Sequence, residues 1–439
     1  MKKIAGSAAA LMVCAFTAHA VEPLKQGPFS LQPSVNVRLG LQYAGGINYG
    51  YGAYDAPGER DRSSMSGSIE PGAVLGWKLD GSELYGGVSI VAATTQLDGE
   101  LSGQFGRAGD TDFGLDNAYV GWKNEWLDLS YGAQPFVVGD GLLLGDGNFD
   151  VGKTDGQFWT APYDAWRNSA IARINGGPLR ADLFWLRSDV DFGDSRIVGV
   201  NVETNTHLDR GKLGFMYMEV MQADGRGFGL GNDGLEVWDF RAANVKVPAV
   251  PNLEFFAEFV RQGGRDEDRG MRNDAYGGHI EAQYHFKTWL TPTLTYRYAR
   301  FSGDQLDTPT VNEGYRSLFY GFYTREWDTW YQGEVAGEYH LFNSNQISHM
   351  VKLKVMARED VAVTLYWYHH DLEEPNYFGV PLKSTRWGDE LNLGAEYFIG
   401  HQFYGYVGAL WGKPDAAATE FFGSSDDFVV LQTWLSYTF

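Results

Sequence analysis

The chain has 439 residues, a formal net charge of −21, 15% aromatic residues and 56 glycines. The acidic balance disfavours a nucleic-acid partner on bulk electrostatics. The only cysteine is Cys14, so the chain beyond it has no thiol for a disulfide framework or a thiolate metal site. No proline-rich or serine-rich linker interrupts the sequence, which favours one large architecture over several domains.

Residues 1–20 have the order of a secretory signal peptide. Two lysines follow Met1, an apolar run extends from Ile4 to Phe16, and Ala18-His19-Ala20 has the small residues of a cleavage site. We expect cleavage after Ala20. A lipoprotein signal is the alternative, and the bulky valine before Cys14 disfavours it.

Alternation of apolar and polar residues begins at 34–43, where Val35, Val37 and Leu39 alternate with Asn36 and Arg38. The pattern recurs along the chain, and no run approaches the 18 apolar residues of a transmembrane helix. Strands that separate lipid from a watery lumen need such faces. We therefore expect a short periplasmic segment at 21–33 and a single antiparallel transmembrane β-barrel over 34–439.

The last twelve residues carry the clearest local signal. Leu435, Tyr437 and Phe439 form one apolar face, while Ser436 and Thr438 fall on the other. A chain that ends on an aromatic residue in this pattern resembles the targeting strand of bacterial outer-membrane barrels. It implies outer-membrane lipid and the barrel-assembly machinery as partners. An ordinary terminal strand of a soluble sheet is the alternative.

The connections between predicted strands are alternately tight and long, as periplasmic turns and extracellular loops are in such barrels. Eight tight turns lie between nine long loops, which predicts about 18 strands. Residues Gly333 to Leu341 are ambiguous, but a strand there would make the count odd. The long loops are 44–68, 95–112, 135–165, 189–194, 223–233, 263–273, 302–346, 371–387 and 413–426.

Charged residues at the inward positions of these strands are candidates for a pore lining. Alternation points Arg297 inward, because a lipid-facing arginine near the midplane would cost roughly 2–4 kcal/mol. Positive and negative residues are both present among them, so the sequence does not predict whether the pore prefers anions or cations. The candidates are Arg38, Arg173, Asp182, Glu254, Glu258, His279, Glu281, Arg297, Lys352, Lys354 and Glu396.

An outer-membrane barrel with an enzymatic or adhesive surface role is the rival class. It should show a histidine beside a serine or an acidic residue, and no Gly-x-Ser-x-Gly elbow occurs. His279 and His285 lie roughly 20 Å apart by strand rise, too far to share a metal. The sequence predicts no catalytic residue, no cofactor and no metal site.

Four stretches of the second half resemble the alginate-export family of outer-membrane porins. They are Leu294-Thr295-Tyr296-Arg297-Tyr298-Ala299-Arg300-Phe301-Ser302-Gly303-Asp304, Leu318-Phe319-Tyr320-Gly321-Phe322, the strand after Asn345-Gln346, and Trp387-Gly388-Asp389-Glu390-Leu391-Asn392-Leu393. In the first half, Tyr131-Gly132-Ala133-Gln134 is similar to a Gly-Arg-Gln strand of that family, with Ala133 in place of the arginine. The resemblance implies an 18-stranded monomeric barrel that passes an anionic polysaccharide or a smaller solute.

The long loop 302–346 is rich in aromatic residues, among them Tyr320, Trp327 and Trp330. We expect these rings to lie in or over the pore, where flat rings stack on sugar faces. A loop that packs outside on its own aromatics is the alternative. Together these features predict a passive channel for small or oligomeric, anionic or sugar-like solutes.

Overall fold

Eighteen antiparallel strands close into one barrel, which confirms the predicted fold and strand number. The computed structural model describes residues 23–46, 61–99, 109–145, 147, 165–190, 193–205, 211–224, 231–266, 269–320, 332–400 and 402–439. The barrel strands are β1 Phe29–Gly45, β2 Asp61–Leu79, β3 Ser82–Leu97, β4 Thr111–Asn124, β5 Leu127–Gln134, β6 Trp166–Asn175, β7 Leu179–Arg187, β8 Arg196–Thr204, β9 Lys212–Gln222, β10 Leu235–Val247, β11 Val250–Asp266, β12 Ala275–His285, β13 Thr293–Phe301, β14 Gln346–Arg358, β15 Val361–Leu372, β16 Arg386–Ile399, β17 Phe403–Pro414 and β18 Phe428–Thr438.

Each strand pairs with its sequence neighbours, and the last strand closes the sheet on the first. Asn36 to Gly45 of β1 lie opposite Thr438 to Val429 of β18. Beyond the strand end, Val35 N–H donates to Phe439 O at 3.0 Å and Phe439 N–H donates to Val35 O at 2.9 Å. Closure leaves no strand edge with unpaired backbone groups, which a hydrocarbon environment requires.

The first strand begins at Phe29, inside the segment 21–33 that the sequence assigns to the periplasm. A short strand, Leu24–Gln26, precedes it and pairs back on it. Pro33 lies opposite Ala73 of β2, whereas β18 pairs with β1 only from Asn36 onward. Proline is tolerated where a strand has a neighbour on one side. The expected signal peptide, residues 1–20, lies outside the described residues and stays a prediction.

Short connections join the strands at one end of the barrel and nine long ones at the other. We number the long ones L1 to L9 along the chain, and take their end as extracellular. Four matter below: L3 (135–165), L7 (302–345), L8 (373–385) and L9 (415–427).

Short elements lie within the long loops. The ambiguous segment of L7 is a π-helix, Glu334–Leu341, and not a strand. In L9, Asp415 caps the helix α1, Ala416–Phe422. The remaining strands are two-residue or three-residue pieces, Met271–Asn273, Val311–Asn312, Asn376–Tyr377 and Val380–Pro381. Within the described residues, no helix is long and apolar enough to cross a membrane.

Outward positions of the strands are apolar and exposed. Val120, Phe259 and Leu393 are 66%, 52% and 50% exposed, respectively. So much apolar area on one continuous surface would be unstable in water and is the surface that hydrocarbon covers. Because successive side chains of a strand point to opposite faces, alternate residues of each strand face the lipid and the residues between them face the lumen.

The extracellular half of the lumen holds two groups of buried apolar side chains. The first, here the L3 cluster, packs L3 and part of L7 against the inward faces of β6 to β13, and Leu144 forms a parallel bridge to Phe319. The second, here the L7 cluster, packs the π-helix of L7 against β14 to β18. Long loops thus fold into the barrel and narrow it.

Candidate pore lining

A belt of charged side chains follows the inward face of consecutive strands on the periplasmic side of the L3 cluster. On β6 the buried Ile171 precedes Arg173, and on β11 Glu258 precedes the buried Val260. Cross-strand register links Asp128 to Arg173 and Arg173 to Asp182. Direct partners across adjacent strands lie about 4.5–5.5 Å apart, so the belt is continuous around this wall.

The belt consists mostly of ion pairs in which one or both partners are largely buried. Arg297 Nε donates to Glu281 Oε2 at 2.8 Å, and the two side chains are 1% and 0% exposed. Lys354 Nζ donates to Glu396 Oε2 at 2.8 Å. Within β7, Arg180 binds the buried Asp182 at 2.8 Å. Paired charges of this kind neutralise each other, and those that connect different strands also hold the strands in register.

Arg241 lies at the centre of the belt on β10. Its guanidinium hydrogen-bonds to Asp239 and Asn201, and Glu203 lies at 3.4 Å. Glu203 also pairs with Lys212 of the next strand. Five donors on one planar group allow arginine to connect several acceptors in this way.

The tip of L3 reaches the belt at Arg241. Gly139 has a φ of 66°, and a Cβ built there would lie 2.6 Å from Arg241 Cδ, so a side chain does not fit. The next residue, Asp140, lines a cavity of about 270 Å³ together with Arg241, Glu258 and His279. L3 therefore narrows the lumen at the level of the charged belt.

The opposite wall, around the closure of the barrel, presents cations over aromatic rings. The Arg38 guanidinium lies 6.0 Å from the centre of the Trp434 ring. Among the described residues, no carboxylate lies within ion-pair distance of Arg38. The Lys352 ammonium lies 5.9 Å from the centre of the Tyr366 ring, which stacks on Tyr368 with a centre-to-centre distance of 5.9 Å.

At the extracellular mouth, Glu373 of L8 ties three elements together. It accepts hydrogen bonds from Arg300 at 2.6 Å, from the Tyr276 hydroxyl at 2.9 Å and from Gly303 N–H at 3.0 Å. Burial raises the pKa of the Glu373 carboxyl, but these donors outweigh it, so its pKa lies below the usual value. Glu373 is therefore ionised at neutral pH and anchors L7.

Arg316 of L7 is held inside the mouth. Its N–H donates to Gln262 Oε1 at 2.9 Å, and its carbonyl accepts from Gln262 Nε2 at 2.7 Å. Burial and the nearby Arg269 lower the pKa of the Arg316 guanidinium to about 10. The group therefore keeps its charge at neutral pH, close to the L3 cluster.

All eleven charged residues that the sequence proposes for the lining lie at inward positions of their strands: Arg38, Arg173, Asp182, Glu254, Glu258, His279, Glu281, Arg297, Lys352, Lys354 and Glu396. Their part in solute passage stays a prediction. Tyr320 is half-buried against the L3 cluster. Trp327 and Trp330 lie outside the described residues.

Sequence reasoning missed Asp140, Glu203, Asp239 and Arg241. Asp239 and Arg241 follow Leu235 and Val237 at the same alternate positions of β10, so continued alternation would have found them. Asp140 had no such signal, because the path of L3 into the lumen depends on contacts with distant strands.

The closed barrel, its apolar outer wall and its charged, loop-narrowed lumen define a channel of the outer membrane. The sequence model of the Gram-negative porin family matches residues 7–316. The chain belongs to this family. Its members are channels without enzymatic activity, which removes the enzymatic alternative. No curated protein matches the sequence.

Solved structures of porins are similar in fold. OccK2 (OpdF) of Pseudomonas aeruginosa has a TM-score of 0.60 at 14% identity, with 93% of this chain and 97% of that chain covered. A BenF-like porin from Pseudomonas fluorescens Pf-5 has a TM-score of 0.62 at 12% identity, with 93% and 98% covered. Acinetobacter baumannii OccAB1 has a TM-score of 0.60 at 11% identity, with 93% and 96% covered. OccK2 has also been solved in complex with glucuronate.

The resemblance to alginate-export porins was wrong. The family match is to the Gram-negative porins, and the structural neighbours are porins as well. Apart from 318–322 in L7, the stretches that suggested the other family are strand segments such as 294–301, where aromatic and apolar residues alternate with polar ones. Any transmembrane barrel needs that pattern, so it does not distinguish one barrel family from another.

Proposed function

We propose that this porin passes small solutes that bear a carboxylate, including sugar acids. One observation carries the proposal: Arg38 faces the lumen without a carboxylate partner among the described residues. Most of the belt's arginines and lysines are paired with acidic side chains, as in Arg297 with Glu281 and Lys354 with Glu396. A paired cation has little attraction left for a passing anion, whereas an unpaired guanidinium binds a carboxylate through two parallel hydrogen bonds.

The surroundings of Arg38 favour a ring-shaped anion. Trp434 lies beneath its guanidinium, and indole presents a flat face to a sugar or aromatic ring. The similarity in fold to OccK2, which has been solved with glucuronate, supports the same solute class. A porin without preference for charge is the alternative, and the experiment below separates the two.

We further propose that the chain works as a monomer in outer-membrane lipid. Apolar outward positions occur on β4, β11 and β16 alike, so no single side of the wall stands out as a contact for a second copy. The terminal pattern of Leu435, Tyr437 and Phe439 supports delivery by the barrel-assembly machinery.

The first prediction concerns selectivity. Proteoliposomes with purified protein should take up glucuronate faster than glucose, and Arg38→Gln should lower glucuronate uptake by roughly tenfold, since a hydrogen bond to a charged group contributes about 1.5–3 kcal/mol. Glucose uptake should change little. Arg358→Gln, which removes a cation from an exposed periplasmic turn, is the matched control.

Reversal potentials in a potassium chloride gradient give an independent measure of the same preference. Wild-type protein should favour chloride, and Arg38→Gln should shift the potential toward zero. Equal uptake of glucuronate and glucose by the wild type, or unchanged glucuronate uptake in Arg38→Gln, would contradict the proposal.

A further inference from the structure

The end of L7 lies inside the lumen against β16 and β17. We call residues 332–345 the L7 segment. Val335, Ala336 and Leu341 in its π-helix are buried at 1%, 3% and 2% exposure. A Cβ at Gly412, an inward position of β17, would lie 2.7 Å from Val335 Cγ1. The segment therefore rests directly on the barrel wall and occupies part of its cross-section.

One carboxyl group holds the start of this segment. Glu390 of β16 faces inward at 1% exposure, and its Oε2 accepts a hydrogen bond from Ala336 N–H at 2.9 Å. Its Oε1 accepts from Asn392 Nδ2 at 2.6 Å. Gly333, with a φ of 94°, lets the backbone pass so close that a Cβ would lie 2.7 Å from Glu390 Oε2. The backbone conformation at Gly333 therefore allows the L7 segment to approach Glu390 closely.

Elsewhere between the L7 segment and the barrel wall, several buried polar groups make fewer hydrogen bonds than they could. Four side chains there are buried and have polar atoms without a hydrogen-bond partner among the described residues: His370, Gln346, Asn343 and Gln332. Each unmade hydrogen bond of a buried group costs about 1–3 kcal/mol. The docked position of the L7 segment therefore depends on the few polar contacts that are made.

We propose that Glu390 is the positioning residue that sets the open cross-section of this porin. It fixes the L7 segment on the wall between β16 and β17. When the contact breaks, the segment leaves the wall, and the stacked Tyr366 and Tyr368 beneath the L7 cluster become accessible to solutes. The inference concerns pore size and does not depend on a preference for anions.

The second prediction tests Glu390 by single-channel recording. A glutamine keeps the size of the side chain but replaces one of the two acceptor oxygens with an NH2 donor, so it cannot accept at both of the positions where Ala336 and Asn392 donate. Glu390→Gln should raise the undocked population by roughly tenfold, seen as larger open-channel current fluctuations and a higher mean conductance. Glu359→Gln removes the same charge in a periplasmic turn and should leave both unchanged. Heat-modifiable gel migration reports that each variant is folded.

A reversible tether distinguishes positioning from a mere change of charge. A Cβ at Gly412 would lie 3.1 Å from Val335 Cβ, close to the 3.5–4.5 Å of disulfides, so Val335→Cys with Gly412→Cys can be cross-linked. Cys14, in the expected signal peptide, is the only native cysteine. With Glu390→Gln added, oxidation should restore wild-type current and reductant should release the fluctuations. Quiet wild-type current in untethered Glu390→Gln, or fluctuations that persist under oxidation, would overturn the proposal.

Discussion

At the level of single residues, the Arg297–Glu281 pair shows how charged side chains are accommodated in the barrel wall. Both side chains are inward on neighbouring strands and nearly inaccessible to solvent. Removing two ions from water is expensive, and only their close contact and shared hydrogen bonds offset that cost. Replacing one partner by an apolar residue should therefore destabilise the fold more than replacing both.

The third prediction follows from this asymmetry. Glu281→Leu should lower the free energy of unfolding by about 3–5 kcal/mol, because it removes the buried carboxylate that Arg297 binds inside the wall. Adding Arg297→Leu should recover most of the loss. Denaturant unfolding in detergent, followed by gel migration, measures both. A double variant that is no more stable than Glu281→Leu alone would contradict this expectation.

Alternation predicted which face of a strand each of these residues occupies, because the period of two admits no other solution once one face meets lipid. It could not predict their partners. Arg241 binds Asn201, two strands away along the sheet, and such a contact depends on side-chain reach and on the bend of β10, which no local pattern encodes.

At the level of elements, the loops that enter the lumen decide how much of it stays open. L3 has five buried apolar residues between Phe136 and Leu144, and they pack on inward faces of β6 to β13 that are apolar as well. The inward residues of these strands are apolar at the positions that the loop covers. A wall that faced only water would have polar residues there.

The fourth prediction removes residues 138–143 of L3. The shortened loop no longer reaches Arg241, so conductance should rise, while thermal stability should fall because Met216, Val237 and Val260 lose their cover. Phe378→Ser at the exposed turn of the L8 hairpin is the control and should change neither quantity. Conductance that stays at the wild-type value after L3 is shortened would contradict its constricting role.

The number of long loops was predictable, since each follows from a tight turn at the other end of the barrel. The path of each loop, outside the barrel or into its lumen, was not predictable. L7 was expected in or over the pore from its aromatic content. Tyr315 to Phe319 and the π-helix pack inside the barrel, but Trp327 and Trp330 lie outside the described residues, so a role of those rings in the pore stays a prediction. The π-helix at 334–341 was beyond prediction, because its first turn is held by Glu390 from a strand that lies far along the chain.

At the level of the whole molecule, closure depends on the meeting of the two chain ends. The Phe439 backbone makes two hydrogen bonds with Val35, next to the pairing of β1 with β18. Without that seam both strands would be edges in hydrocarbon, where each unpaired backbone group costs several kcal/mol.

The fifth prediction concerns this seam. Deleting Phe439 should lower the yield of folded, heat-modifiable barrel in the outer membrane, since this residue completes the seam with Val35 and belongs to the pattern that we propose as the targeting signal. Phe439→Tyr keeps the backbone and the aromatic ring and should assemble normally. Normal yield of the deletion variant would show that the seam closes without its last residue.

The bridge between Leu144 and Phe319 has a consequence for the living cell. It joins L3, which lies between β5 and β6, to L7, which lies between β13 and β14. Two loops that are joined inside the lumen support each other, so a change that displaces one of them also loosens the other. Loss of either loop therefore costs the cell part of its barrier to bulky antibiotics.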